Sequence, residues 1–170
     1  MGNIDTATGP GSTIDVSGNS PALDGSSHST SVKPALLVTP STGTYGNGYE
    51  VMSAQYGDLN AGEGTVRQVE ILLTHPQNKT VPYDKTTAFA AGDHIVVKEH
   101  IINKTYWLKG SSLTIAKDGK IITAANGLVA AQTEHTATSL PHHTWVCVKA
   151  VTSATWVQGK YIGITPMFTT

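Results

Sequence analysis

Residues 113–131 read LTIAKDGKIITAANGLVAA, three short apolar runs cut by two turn dipeptides, Asp118-Gly119 and Asn126-Gly127. Both dipeptides suit the type I′ hairpin turn, because Asn, Asp and Gly tolerate the positive φ it demands. Two such turns predict a three-stranded meander with a definite register. Around the first, Lys117 faces Lys120, Ile115 faces Ile122 and Leu113 faces Ala124. Around the second, Ala125 faces Leu128, Ala124 faces Val129 and Ile122 faces Ala131. Side chains alternate faces along a strand, so Leu113, Ile115, Ile122, Ala124, Val129 and Ala131 are expected on one apolar face. Thr114, Ala116 and Thr123 fall on the other.

Outward from this stretch the signal stays β. Tyr49 to Tyr56 reads as a strand, and so does Val66 to Thr74. In the latter Val69, Ile71 and Leu73 share a face with Arg67 at its mouth, while Gln68, Glu70 and Leu72 lie opposite. Ala91-Gly92-Asp93 predicts a turn into the run His94 to Ile102. Thr144 to Val151, Ala154 to Val157 and Lys160 to Thr165 follow. Gln158-Gly159 reads as a tight turn that sets Trp156 opposite Tyr161. No helical period exceeds a turn or two. Many short strands with frequent turns predict an all-β fold, an antiparallel β-sandwich or a small β-barrel.

Residues 1–48 differ in composition. Gly, Ser, Thr and Pro supply 27 of these 48 residues, and no aromatic precedes Tyr45. So little apolar surface cannot offset the entropy of ordering the segment alone. The expected division is therefore a long extended N-terminal arm, 1–48, ordered by partner subunits, and a β-domain, 49–170. Within the arm the strand-like run is Ala35-Leu36-Leu37-Val38, between Pro34 and Pro40.

Charge and composition restrict function. The formal net charge is −1, and the only arginine is Arg67, so a basic nucleic-acid-binding patch is not expected. No apolar run approaches the length of a membrane span. Met1-Gly2-Asn3 opens with neither a basic n-region nor an apolar h-region, so no secretory leader is expected. The one cysteine, Cys147, lies in a β-like run and reads as a small buried apolar residue.

Signatures of chemistry are missing. His94 and His100 share strand parity but stand roughly 20 Å apart at strand rise. His135, His142 and His143 lack the spacing of a metal site. There is no nucleophile elbow and no Gly-rich phosphate loop between strand and helix, and the sparse carboxylates suggest no facing pair. The expectation is a non-enzyme without cofactor or metal. Trp107 with Tyr106, and Trp145 with Trp156 and Tyr161, are candidates for the core, a subunit interface or a sugar-stacking platform.

From Phe89 to Thr165 the chain resembles tailed-bacteriophage capsid decoration (cement) proteins. The resembling features are Ala91-Gly92-Asp93 leading into an apolar strand, and a strand ending in Lys117-Asp118-Gly119-Lys120. Ala125-Asn126-Gly127-Leu128-Val129 and late strands rich in Val and Thr complete them. The insert Thr74 to Thr87 has no clear counterpart in that pattern. The resemblance implies a virion protein, made in the host cytoplasm, that binds the outer capsid surface at threefold or quasi-threefold axes, often as a trimer. Its partners would be the major capsid protein and its own copies, and its work would be to bridge neighbouring capsid subunits. In that setting Ala35, Leu36, Leu37 and Val38 would add a strand to a partner, with Tyr45 and Tyr49 as anchors. The alternative is a carbohydrate- or receptor-binding β-module that uses the Trp and Tyr residues as its platform.

Overall fold

A computed structural model of the chain describes residues 4–5, 9–10, 22–27, 32–41, 48–52, 67–69, 88–132 and 142–165. Their regular structure is β apart from one 3-10 turn, as the sequence predicts, and they form two β-bodies joined at His100. The first is a closed five-stranded barrel. It is built from β3 (Ala22–Ser27), β5 (Gly48–Val51), β4 (Leu37–Ser41), β6 (Arg67–Val69) and β7 (His94–Glu99), in that order round the wall. Every pairing is antiparallel except β3 with β5. The second is a curled five-stranded sheet in the order β10 (Val129–Ala131), β9 (Lys120–Thr123), β11 (His142–Cys147), β12 (Val151–Thr165), β8 (Thr105–Ile115). Near the N-terminus β1 (Ile4–Asp5) pairs with β2 (Gly9–Pro10).

The expected boundary at residue 48 does not separate these bodies. Strands β3 and β4 lie N-terminal to it and are two of the five barrel staves. Val32, Ala35, Leu36, Leu37 and Val38 are buried in the chain's own core. The composition argument failed because it priced the segment as a free chain. In the barrel β3 bonds on both sides, to β5 and β7, and backbone pairing asks for no large side chains. The Ser27 N–H donates to the Asp93 carbonyl at 2.8 Å, and the Gly92 N–H donates back to Ser27 at 2.7 Å. That exchange uses the turn expected at Ala91-Gly92-Asp93, where Gly92 has φ +86° and Asp93 Oδ2 accepts the Ala90 N–H at 2.8 Å.

Alternation along the barrel staves creates two cores. Val38, Val69, Ile95 and Val97 point inward and meet Val32, Tyr49 and Phe89. Their neighbours point out of the wall. The register aligns Leu37 with Gln68 and Gln68 with Lys98, a row on the outer surface that the curled sheet covers. Leu37 and Met52 cross into the second core, among Tyr106, Leu108, Leu113, Ile115, Ile121, Val129, Trp145 and Val157.

The meander of 113–131 forms only in part. Strand β9 pairs with β10 and β11, while β8 pairs with β12 at the far edge of the sheet. The turn after β8 falls one residue early: the Gly119 N–H donates to Ala116 O at 3.0 Å and Asp118 takes the positive φ, +67°. It is then stitched to β11, with Asp118 N–H donating to Cys147 O at 2.8 Å and Cys147 N–H to Gly119 O at 2.9 Å.

The second hairpin exists with its register shifted by one. Val129 pairs with Thr123, Ala130 with Ile122 and Ala131 with Ile121. A one-residue slip exchanges the faces, so Ile121 and Thr123 share a face with Val129, where Ile122 and Ala124 were expected. The cause is tertiary. Asn126 (φ +61°) and Gly127 (φ +70°) sit in a single 3-10 turn, Ala125–Gly127, which docks on the barrel through a Gly127 N–H bond to Met52 O at 2.8 Å. Gln158-Gly159 is no turn either. β12 runs unbroken through it, and Tyr161 pairs with Trp145 while Trp156 pairs with Lys109.

A Cβ on Gly127 would lie 2.6 Å from Leu37 O and 2.7 Å from Val51 Cγ1, at a φ that L-residues resist. Gly127→Ala should therefore cost about 2–3 kcal/mol, read as a lower urea midpoint; an unchanged midpoint would mean the turn does not dock. Deleting residues 1–34 removes β3 and Val32, so amides of β5 and β7 should lose exchange protection. A remainder that stayed fully protected would restore the boundary at residue 48.

Candidate functional site

The crossover from barrel to sheet, residues 100–104, carries the most elaborate polar constellation among the described residues. Four elements deliver it. His100 leaves β7, Gln68 comes from the outer face of β6, Trp145 from β11, and Tyr106 from β8. The crossover is clamped by main-chain bonds, from Asn103 N–H to Tyr161 O at 2.8 Å and from Tyr161 N–H to Lys104 O at 2.9 Å. Tyr106 Oη accepts the Ile101 N–H at 2.7 Å.

His100 is the hub. Trp145 Nε1–H, a donor only, points to His100 Nδ1 at 3.0 Å, so Nδ1 must accept and the proton must reside on Nε2. Nε2–H then donates to Gln68 Oε1 at 2.9 Å. The Gln68 amide in turn donates from Nε2 to the carbonyls of Ala35 at 2.8 Å and Trp107 at 2.7 Å. One buried glutamine thus ties β6, the segment before β4, the edge strand β8 and the hub together. The His100 ring also stacks on Tyr106, centroids 3.7 Å apart and 9° from parallel.

Around the hub lie further polar groups. His143 Nδ1 is 2.8 Å from Tyr161 Oη, and Lys98 Nζ lies over the Tyr106 ring at 5.9 Å. Burial pushes Lys98 down to about 7 and holds His100 well below the usual imidazole range. Burial also pushes Tyr161 up to about 12. It raises the thiol of Cys147 as well, whose Sγ–H donates to Lys149 O at 3.1 Å; that is a packed structural thiol. Among the described residues no three His, Cys, Asp or Glu side chains converge as a metal site.

The partner-binding and aromatic candidates read from the sequence, Tyr45 apart, lie among the described residues. Trp145 and Tyr161 sit together beside the hub, rings tilted at 5.4 Å. Trp107 and Trp156 are buried against Ala35 on the opposite face of the sheet, with Lys109 Nζ 5.7 Å over Trp156. Their interior position closes their faces to a sugar ring. Tyr49 is buried under the Arg67 guanidinium at 5.7 Å. Arg67 is paired to Glu99 at 3.2 Å, at the barrel mouth where its parity put it. Tyr45 lies outside the described residues. Both edges of β4 are taken by β5 and β6, so Leu37 and Val38 are not available to add to a partner's sheet while the barrel is closed. Gln68 and Lys98 were not anticipated, and Tyr106, read as an aromatic candidate beside Trp107, instead stacks on His100. A polar residue at outward strand parity looks solvated until a second layer is known to cover it.

Comparison with protein-family models and with curated proteins returned no match to the chain.

The titration signs follow from burial. Lys98 keeps its folded pKa near 7 against about 10.4 when unfolded, so the unfolded chain binds the extra proton and stability rises with pH across that window. Urea midpoints should climb from pH 7 to pH 9.5, and Lys98→Met should flatten that climb. A midpoint indifferent to pH in the parent chain would show that Lys98 is not buried.

Proposed function

We propose that the chain is a structural virion protein that binds the outer surface of a capsid and bridges neighbouring capsid subunits. The observation that carries this reading is where the described residues place their reactive and aromatic groups. All three tryptophans, Cys147, His100 and His143 are buried, and bonds link His100 to Trp145 and His143 to Tyr161. Such groups at the surface would support a catalytic or sugar-stacking site; locked inside, they support a rigid scaffold. The strand-and-turn layout from Phe89 to Thr165 supports the same reading by its resemblance to decoration proteins. A molecule of two β-bodies sharing a core suits a load-bearing role, since its stiffness rests on close packing.

The major capsid protein is the proposed partner and a homotrimer the proposed assembly. Capsid contact falls to the outer surface of the two bodies and not to the run Ala35–Val38, which the chain buries in itself.

The test is immunogold labelling, with an antibody to this chain, of density-purified particles from cells that carry the gene. Label over the capsid exterior, with the chain in copy numbers comparable to capsid subunits, is the expected result. Label confined to tails or the cell envelope would sink the proposal, and saturable binding on a glycan array would favour a carbohydrate-binding module instead.

A further inference from the structure

We propose that the crossover at His100 is an acid-operated joint: a proton taken up at Nδ1 unseats Trp145 and parts the barrel from the curled sheet. The inference goes beyond the virion reading and does not depend on it. Its basis is geometric. His100 is a group through which the two bodies hold each other by side-chain bonds, Gln68 of the barrel on one ring nitrogen and Trp145 of the sheet on the other, beside the direct bond from Gln68 to Trp107 O. Trp145 has only a donor to offer. A protonated Nδ1 is also a donor, so the two N–H groups would face each other at 3.0 Å, and no rotation of either ring restores a bond. The opposite nitrogen cannot absorb the change, because it already donates to Gln68.

The surroundings give the extra charge no refuge. The groups that face His100 are Lys98 from its own strand, Gln68 from β6, Tyr106 from β8, His143 and Trp145 from β11, and Tyr161 from β12. Lys98 and His143 each oppose a second positive charge. Glu99, the preceding residue, is turned to Arg67 at 3.2 Å. With burial added, His100 stays neutral while the joint is closed. Once it opens, the imidazole returns to its ordinary value near 6.5, so acid favours the open form. The sign is that of a buried neutral base: closure is fully supported above about pH 6.5 and is lost as pH falls below it.

The test is amide and indole hydrogen exchange on the full chain between pH 7.5 and 5, corrected for intrinsic rates. Gly127 N–H, bonded to Met52 O, and the Trp145 indole N–H span the joint. Cys147 N–H lies within the sheet and Val69 N–H within the barrel, so they serve as internal references. Protection at Gly127 and Trp145 should fall about tenfold per pH unit below about 6.5, the slope of one linked proton, while Cys147 and Val69 hold. His100→Gln keeps a donor and an acceptor without titrating, and should abolish the slope. A slope that survives His100→Gln assigns the proton elsewhere and overturns the proposal. So does loss of all four protections together, or none by pH 5. Should the variant not fold, ring-nitrogen NMR of His100 in the parent chain decides: proton uptake together with loss of the Trp145 N–H signal supports the joint, and uptake with that signal intact refutes it.

Discussion

The structure depends on a barrel wall that is buried on both sides. A strand presents alternate residues to opposite faces, and β4, β6 and β7 use both sets. Val38, Val69 and Val97 fill the barrel, while Leu37, Gln68 and Lys98 form a row facing the curled sheet. The two bodies are therefore not beads on a string. Leu37 and Met52 belong to the sheet's core, and the turn at Gly127 closes onto the barrel's backbone.

Burying that outer row has a polar consequence. Gln68 and His100 lose water, and each buried polar atom left unbonded costs roughly 1–3 kcal/mol. The network meets the requirement almost completely, with Gln68 making three bonds and both His100 nitrogens engaged. Because Trp145 dictates the tautomer, the arrangement has one solution. It specifies how the bodies meet more sharply than apolar contact would, since a Leu or Val interface tolerates sliding and a donor–acceptor chain does not. The Trp107 Nε1–H, buried without a partner, shows that the packing of the Trp107–Trp156–Ala35 cluster outweighs one unmade bond.

For function, the same economy leaves the interior rich and its chemistry inward-facing. Among the described residues, Trp107, Trp145, Trp156, Tyr161, His100 and the run Ala35–Val38 are all buried in the chain's own interior.

The sequence by itself determined what depends on local dihedral preference and on strand alternation. The β character throughout, the turn at Ala91-Gly92-Asp93, the positive φ at Asn126 and Gly127, the burial of Cys147 and the place of Arg67 beside the barrel mouth were all legible. Only the tertiary structure decided which strand each strand pairs with. Asp118-Gly119 favours a turn but cannot make β8 and β9 neighbours, because the pairing is set by where Leu113, Ile115 and Ile121 are all buried at once. The hairpin at Asn126-Gly127 slips by one residue because its turn bonds to Met52, seventy-five positions earlier in the chain. Residues 22–27, within the Gly/Ser/Thr-rich first 48, become a barrel stave because two neighbours supply their backbone bonds. His100 becomes a hub because Gln68 and Trp145 reach it across a junction between the two bodies. Turn chemistry acts over four residues; burial and hydrogen-bond closure act over the whole chain, and no local pattern encodes them.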